Sequence, residues 1–405
     1  MSGPLEGYRV LELGSTVAGP FCGRILADFG AEVIKVEPPE GDAVRAMGAH
    51  IEGRSLYAAS ILRNKRLVSF DLRKPEAREI VRTLLARCDV LIENFRPGTL
   101  EKWGLGYEAL APDFPALVML RISGYGQSGP YRERPGYGFL GDAVGGLLHI
   151  NGYPDRAPVR AAVPVTDMFT ATYGALGVTM ALLSRKSTGK GQCIDAALYE
   201  TAFSLMEEHV PAFDKLGLVP GRAGSRLPGS TPNSLFPTAD GGFIAMAAAS
   251  DAVFKRLVGV MGRPELATDE RYATGLARNR NVESLDVELC AWTATFGLEA
   301  LERKLQAADV PASRVYTMAD AFRDPHFAAR GAITRAQDEE WGSLAMTAPV
   351  PRLSGTPGTI RHAGGRTGRD TVAVLKELAG LTDERIAALC ESGVVYAAPP
   401  AAGQP

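Results

Sequence analysis

Residues 8–37 read YRVLELGSTVAGPFCGRILADFGAEVIKVE. The run Tyr8–Leu13 is short and apolar and stops at Gly14, which predicts a buried strand. Pro20 stands where the first turn of a helix tolerates a missing N–H, Phe21–Phe29 continues that helix, and Glu32–Glu37 predicts a second strand. Outward from this unit, Val68–Leu72, Asp89–Glu93 and Ala116–Ile122 predict further strands and Pro75–Arg87 an amphipathic helix. Strands alternating with helices at this spacing predict a doubly wound, Rossmann-like α/β domain, with a parallel sheet covered on both faces.

Beyond it, 167–186 is the longest apolar helical run and Gln192–Leu198 returns as a strand. Gly217–Pro237 carries Gly and Pro every few residues and predicts loop; Gly241–Ala248 follows an Asp-Gly turn as a strand, and 251–330 is mostly helical. From 332 short strands and turns resume, and a final helix is expected over 369–392. The simplest division is a large α/β domain at 1–224, an inserted smaller α+β domain at 225–330, and a segment 331–405 that returns to the first.

The 405 residues carry 44 basic and 46 acidic side chains, a net charge of −2, which argues against a protein built to grip nucleic acid or an anionic membrane. No apolar run reaches the length of a membrane span, and the start MSGPLEGYRV lacks the segments of a secretory signal. Cys22, Cys88, Cys193, Cys290 and Cys390 are scattered and form no CxxC pair, so a reducing cytoplasm fits. The first strand-to-helix turn, Gly14–Pro20 (GSTVAGP), is neither G-x-G-x-x-G nor a P-loop, which removes the main support for a dinucleotide enzyme or an NTPase. Around Ser128 the second glycine of a nucleophile elbow is missing. The five histidines make no H-E-x-x-H or i, i+4 pair, so no metal site is expected.

Several segments together resemble one family, the class III coenzyme A transferases, relatives of the carnitine and formyl-CoA transferases. They are LEGYRVLELGSTVAGPFCGRILADFGAEVIKVEPPEGD (5–42), NKRLVSFDLRKPEAR (64–78), DVLIENFRPGTLEKWGLGYEAL (89–110), and PVTDMFTATYGALGVTMALLSRKSTGKGQ (164–192) with PTADGGFIAMAA (237–248). The likeness continues through DPHFAARG (324–331) to RTGRD (366–370).

The resemblance implies an acyl-CoA:carboxylate CoA-transferase that works through covalent aspartyl anhydride and aspartyl-CoA thioester intermediates, with coenzyme A as part of the substrate and no tightly bound cofactor or metal. An aspartate directly before an apolar helical run reads by itself as an N-cap; the resemblance makes Asp167 the nucleophile. It also assigns coenzyme A contacts to Val17, Ala18, Leu72, Arg73, Lys74, Asn94, Phe95, Arg96, Lys102 and Tyr137. A polyanion with a long arm needs cations beside an apolar slot, and loops at strand carboxyl ends are where such folds bind ligands.

Backbone N–H groups of Gly14–Gly19 or Gly221–Ser230 are candidates for holding the oxyanion of each tetrahedral intermediate. Arg45, Arg222 and Arg226, with Tyr137, lie in segments that could face the acyl group, and arginines would suit a dicarboxylate such as succinate. Formyl-CoA transferases carry glutamine where this chain has Val17 and arginine where it has Pro38, so formyl and oxalate are poor guesses. An α-methylacyl-CoA racemase, which would need a histidine where Tyr137 stands, and a non-catalytic CoA-binding subunit are the alternatives. The resemblance further implies an interlocked homodimer, for which the small-residue helix 168–183 would suit close association, or a heteromer with a paralogue.

Overall fold

Side chains in the first strand alternate between two separate apolar cores, and that alternation organises the larger unit. The structure, a computed structural model, describes residues 3–399. Strands β1 (Arg9–Glu12), β2 (Glu32–Glu37), β3 (Lys65–Phe70), β4 (Val90–Glu93), β5 (Val118–Ser123), β6 (Cys193–Ala197) and β7 (Val395–Tyr396) form a seven-stranded sheet in the order β7-β3-β2-β1-β4-β5-β6. All pairings are parallel except that of β7 with β3.

Val10, Val33, Val90 and Val118 face helices α1 (Ala18–Asp28) and α3 (Val165–Thr188), meeting Cys22, Leu26, Ala175 and Val178. Their neighbours Leu11, Ile34, Leu91 and Met119 face the opposite way, against α2 (Pro75–Leu85) and α4 (Thr371–Ala379). Strands buried on both sides read as continuous apolar runs for this reason. Chain order reverses between β1 and β4, so the connections leaving their carboxyl ends run to opposite faces of the sheet and leave a crevice there.

α3 approaches β5 closely because Gly174 has no side chain; a Cβ there would lie 2.8 Å from a Leu120 methyl and 3.6 Å from the Cys22 sulfur. Ala171, Gly174, Ala175 and Ala181 are likewise buried within this unit. The outer face of α3 instead exposes Phe169, Tyr173, Leu176, Met180 and Leu183.

By compactness the chain divides into one unit of 1–147, 161–211 and 329–405 and another of 148–160 and 212–328. These bounds differ from the expected 1–224, 225–330 and 331–405. The smaller unit claims 148–160 because Gly152 and Gly224 form a backbone bridge and Arg222 Nε donates to the Tyr153 carbonyl at 3.0 Å. Its three-stranded antiparallel sheet, Asn233–Pro237, Phe243–Ala247 and Ala312–Arg314, packs Phe236, Ile244 and Met246 on helices carrying Phe254, Leu285 and Leu301.

Other expectations shift. The stretch 217–237 is not all loop, since its end is the strand Asn233–Pro237. The third strand runs over Lys65–Phe70 rather than 68–72, because the buried Lys65 is neutralised by Glu12 at 2.7 Å. The final helix is two helices, Thr371–Ala379 and Asp383–Glu391: Gly380 turns left-handed at φ +66° and the Thr382 hydroxyl caps the second by accepting from the Arg385 N–H. Among the described residues no helix is long and apolar enough to cross a membrane.

Candidate active site

The loop that leaves β1 is fixed from beneath by buried charges. Lys35 pairs with Asp42 at 2.7 Å and also donates to the Gly14 carbonyl, while Lys65 pairs with Glu12 at 2.7 Å and donates to the Pro20 carbonyl at 2.7 Å. Burial works to raise the Asp42 carboxyl, but Lys35 and the N–H groups of Val44 and Thr16 override it and hold the group down to about 2. Asp42 Oδ1 accepts from the Thr16 N–H at 2.9 Å and the Ser15 hydroxyl at 3.1 Å. That acceptor is what holds Thr16 at φ +69°, a strained conformation for a residue with a branched Cβ.

A second clamp comes from β4. Asn94 Oδ1 accepts from the Ser15 N–H at 2.7 Å and Asn94 Nδ2 donates to the Ser15 carbonyl at 2.9 Å, tying the loops after β1 and β4 across the crevice. The N–H groups of Ser15 and Thr16 are therefore committed and cannot hold an oxyanion. Of the expected segment Gly14–Gly19 this leaves the open start of α1, where the first N–H groups have no partner within the helix.

Those loops line a cavity of about 210 Å³. Of the expected site residues it brings together Val17, Ala18, Asn94, Phe95, Arg96, Tyr137 and Asp167. A second cavity, of about 230 Å³, shares Ser15 and Phe95 with the first and contains Leu72 and Arg73. Lys74 and Lys102 line neither: Lys74 Nζ donates to the Ser392 carbonyl, and Lys102 is exposed at the end of the short helix Thr99–Lys102. Arg73 is paired with Asp71 at 2.6 Å, whereas among the described residues no carboxylate pairs with Arg96.

Asp167 is not an N-cap. α3 starts at Val165 after Pro164, so Asp167 sits inside the first turn, where the positive end of the helix favours a carboxylate. Its Oδ2 lies against Gly138, where a Cβ would stand only 2.0 Å away. Gly138 opens the helix Gly138–Val144, preceded by Tyr137, which is 70% exposed. The Tyr57 hydroxyl is buried without a hydrogen-bond partner among the described residues, and its phenol is pushed up by burial and further by Asp167. Sequence reading missed Gly138, Asp42 and Tyr57; only the glycine-rich run GYGFLG at 136–141 offered a signal.

The arginines expected to face an acyl group have hydrogen-bond or ion-pair partners of their own. Arg45 grips Glu37 with Nε at 2.6 Å and Nη2 at 2.7 Å. Arg222 and Arg226 belong to the smaller unit, as does Gly221–Ser230, and Arg226 pairs with Asp286 at 2.6 Å. The cavity of Asp167 holds a different arginine, Arg134, stacked on the Tyr131 ring at 3.4 Å. Among the described residues no group of three or more His, Cys, Asp or Glu is placed to hold a metal ion.

A parallel sheet with a ligand-sized crevice at its switch point, and a carboxylate in that crevice, define an α/β enzyme that acts without a phosphate-binding glycine fingerprint. The chain belongs to CoA-transferase family III, whose model matches residues 5–371. It is 44% identical over 394 residues to a succinyl-CoA–D-citramalate CoA-transferase of Chloroflexus aurantiacus, covering 97% of this chain and 98% of the relative. Identity is 42% to the beta subunit of a succinyl-CoA–L-malate CoA-transferase of the same organism, covering 95% and 96%. A solved CAIB/BAIF family protein from Brucella suis superposes with a TM-score of 0.83 at 36% identity, covering 93% of this chain and 100% of the other.

Proposed function

We propose that the protein moves coenzyme A from succinyl-CoA to a second dicarboxylic acid, with Asp167 as the covalent relay. The observation that carries this reading is the placement of the Asp167 carboxylate in one cavity with Val17, Asn94 and Arg96. Asp167 attacks the thioester carbonyl, the C–S bond breaks, and a mixed anhydride and the CoA thiolate result. The thiolate then attacks the aspartyl carbonyl, releasing succinate and leaving an aspartyl-CoA thioester. The acceptor carboxylate attacks that thioester and the same steps run in reverse, so one thioester replaces another and no ATP is consumed. The open N–H groups at the start of α1, around Val17 and Ala18, are oriented as oxyanion donors by the Asp42 and Asn94 clamps. Arg96 meets a phosphate of coenzyme A, and Leu72, Arg73 and Phe95 take the nucleotide end. The donor is inferred from the two Chloroflexus relatives, whose names both carry succinyl-CoA.

The assembly we infer is a homodimer. Phe169, Tyr173, Leu176, Met180 and Leu183 recur at alternating steps of four and three along the outer face of α3, the spacing of a helix–helix seam, and are 44% to 67% exposed. A continuous apolar stripe of this kind marks an association surface, unlike single exposed side chains.

Succinyl-CoA alone should leave a CoA-thioester mass on the peptide containing Asp167, and hydroxylamine should convert it to a hydroxamate. Asp167→Asn should abolish both the adduct and transfer; full transfer by that variant overturns the reading.

A further inference from the structure

Arg121 lies opposite Glu93 in the parallel register of β4 and β5, one residue before Ile122 and Ser123, which line the cavity of Asp167. Its Nε donates to Glu93 at 2.7 Å and its Nη1 reaches Glu101 at 2.7 Å. The other Glu93 oxygen accepts from the Phe95 N–H at 2.8 Å. One buried guanidinium therefore ties down both ends of the segment that runs from β4 through Asn94–Pro97 to the helix Thr99–Lys102. Sheet pairing holds the first end, Glu93, and stops there, so it does not reach the second end at Glu101.

The arrangement is costly in ways that a purely structural ion pair avoids. Arg121 Nη2 is buried with no hydrogen-bond partner among the described residues, and Glu93 is 1% exposed. Burial pushes the Glu93 carboxyl up to about 7 against the pull of Arg121. Unsatisfied and desolvated groups of this kind persist where geometry matters more than stability. Only an arginine spans the two carboxylates; a lysine ammonium on its flexible stem does not present the same fork.

We propose that Arg121 is a positioning residue for acyl-CoA affinity: by bridging Glu93 and Glu101 it sets the Asn94–Pro97 segment so that Arg96 meets the coenzyme A phosphates. This rests on the transferase reading above, and it predicts an effect on binding rather than on the chemistry at Asp167.

The test measures transfer from succinyl-CoA in wild type, Arg121→Lys, Arg121→Met and Glu101→Gln, each with adduct formation on Asp167 at saturating succinyl-CoA. Arg121→Met should raise KM for succinyl-CoA about tenfold or more, with kcat within about threefold and adduct yield unchanged. Arg121→Lys should fail to rescue KM. Glu101→Gln, whose side chain is 47% exposed and whose loss leaves the core intact, should raise KM by a smaller factor and decides the matter if Arg121→Met does not fold. An unchanged KM in Glu101→Gln and in the folded Arg121 variants overturns the proposal, as does a fall in kcat at constant KM. Absence of adduct in wild type instead overturns the reading of Asp167.

Discussion

Gly138→Ala isolates the placement of the Asp167 carboxylate. The added Cβ would stand 2.0 Å from Oδ2 and 2.7 Å from Cγ, so the carboxylate has to retreat by about 1.4 Å to reach ordinary contact at 3.4 Å. Displacing a reacting atom by about 1 Å costs on the order of 100-fold in rate, and we expect kcat to fall by about that factor. Gly138 begins a helix without a left-handed φ, so alanine suits its backbone and the melting temperature should barely move. The assay is steady-state transfer from succinyl-CoA, paired with the rate of adduct formation on Asp167 and a thermal melt. Gly259→Ala is the control: this exposed glycine sits in the helix Asp251–Val260 with nothing within 4 Å of a new Cβ. That change should leave kcat alone and stabilise the fold by about 1 kcal/mol. A Gly138→Ala enzyme that folds and keeps kcat within about threefold of wild type would refute the argument, because the carboxylate could then tolerate the displacement.

Glu93 gives the chain a pH-dependent stability of definite sign. Burial raises its carboxyl from 4.5 to about 7, so the folded protein keeps a proton that the unfolded chain has lost between those limits. Stability should therefore fall as pH rises through that window, by a term on the order of 3 kcal/mol, and level off above it. Denaturant melts across the window should show Glu93→Gln without that slope; an identical slope in the variant assigns it elsewhere. Leu176→Lys combined with Met180→Lys should convert the dimer to monomer by sedimentation at micromolar concentration. A wild-type chain that is already monomeric, or a double variant that stays dimeric, removes α3 as the seam.

The parallel sheet was legible because YRVLEL and EVIKVE are buried on both sides and bounded by glycine and proline. The strand at Lys65 was harder, since its charge reads as a boundary until Glu12, distant in sequence, is known to neutralise it. Gly380 and Thr382 carried ordinary stop and start signals for the broken last helix, and the apolar period running through them obscured both. At the site, family motifs pointed to side chains that the fold gathers into one cavity, as with Val17, Asn94, Arg96 and Asp167. Lys74 and Lys102, from the same motifs, line neither cavity, and Arg45 turns to Glu37; partners and exposure of this kind depend on tertiary placement that a local motif does not carry. Asp42 escaped notice because nothing local announces a carboxylate that caps a strained threonine.

Gly124 and Gly136 touch backbone to backbone: a Cβ on Gly124 would lie 2.6 Å from the Gly136 Cα, and one on Gly136 only 2.4 Å from the Gly124 Cα. The intervening excursion, residues 125–135, is thus a pouch drawn shut at its neck, with Tyr131 and Arg134 carried inside it and Tyr137 just beyond. The excursion is also tied to the frame, since the Gln127 N–H donates to Asp195 Oδ2 at 2.8 Å and the Tyr125 ring lies 6.0 Å from that of Tyr199. Its far end brings Arg134 and Pro135 to the cavity of Asp167. The neck thereby fixes the separation between the strand end at Ser123 and Gly138, the glycine beside the Asp167 carboxylate, and a methyl on either glycine of the neck would force the two apart.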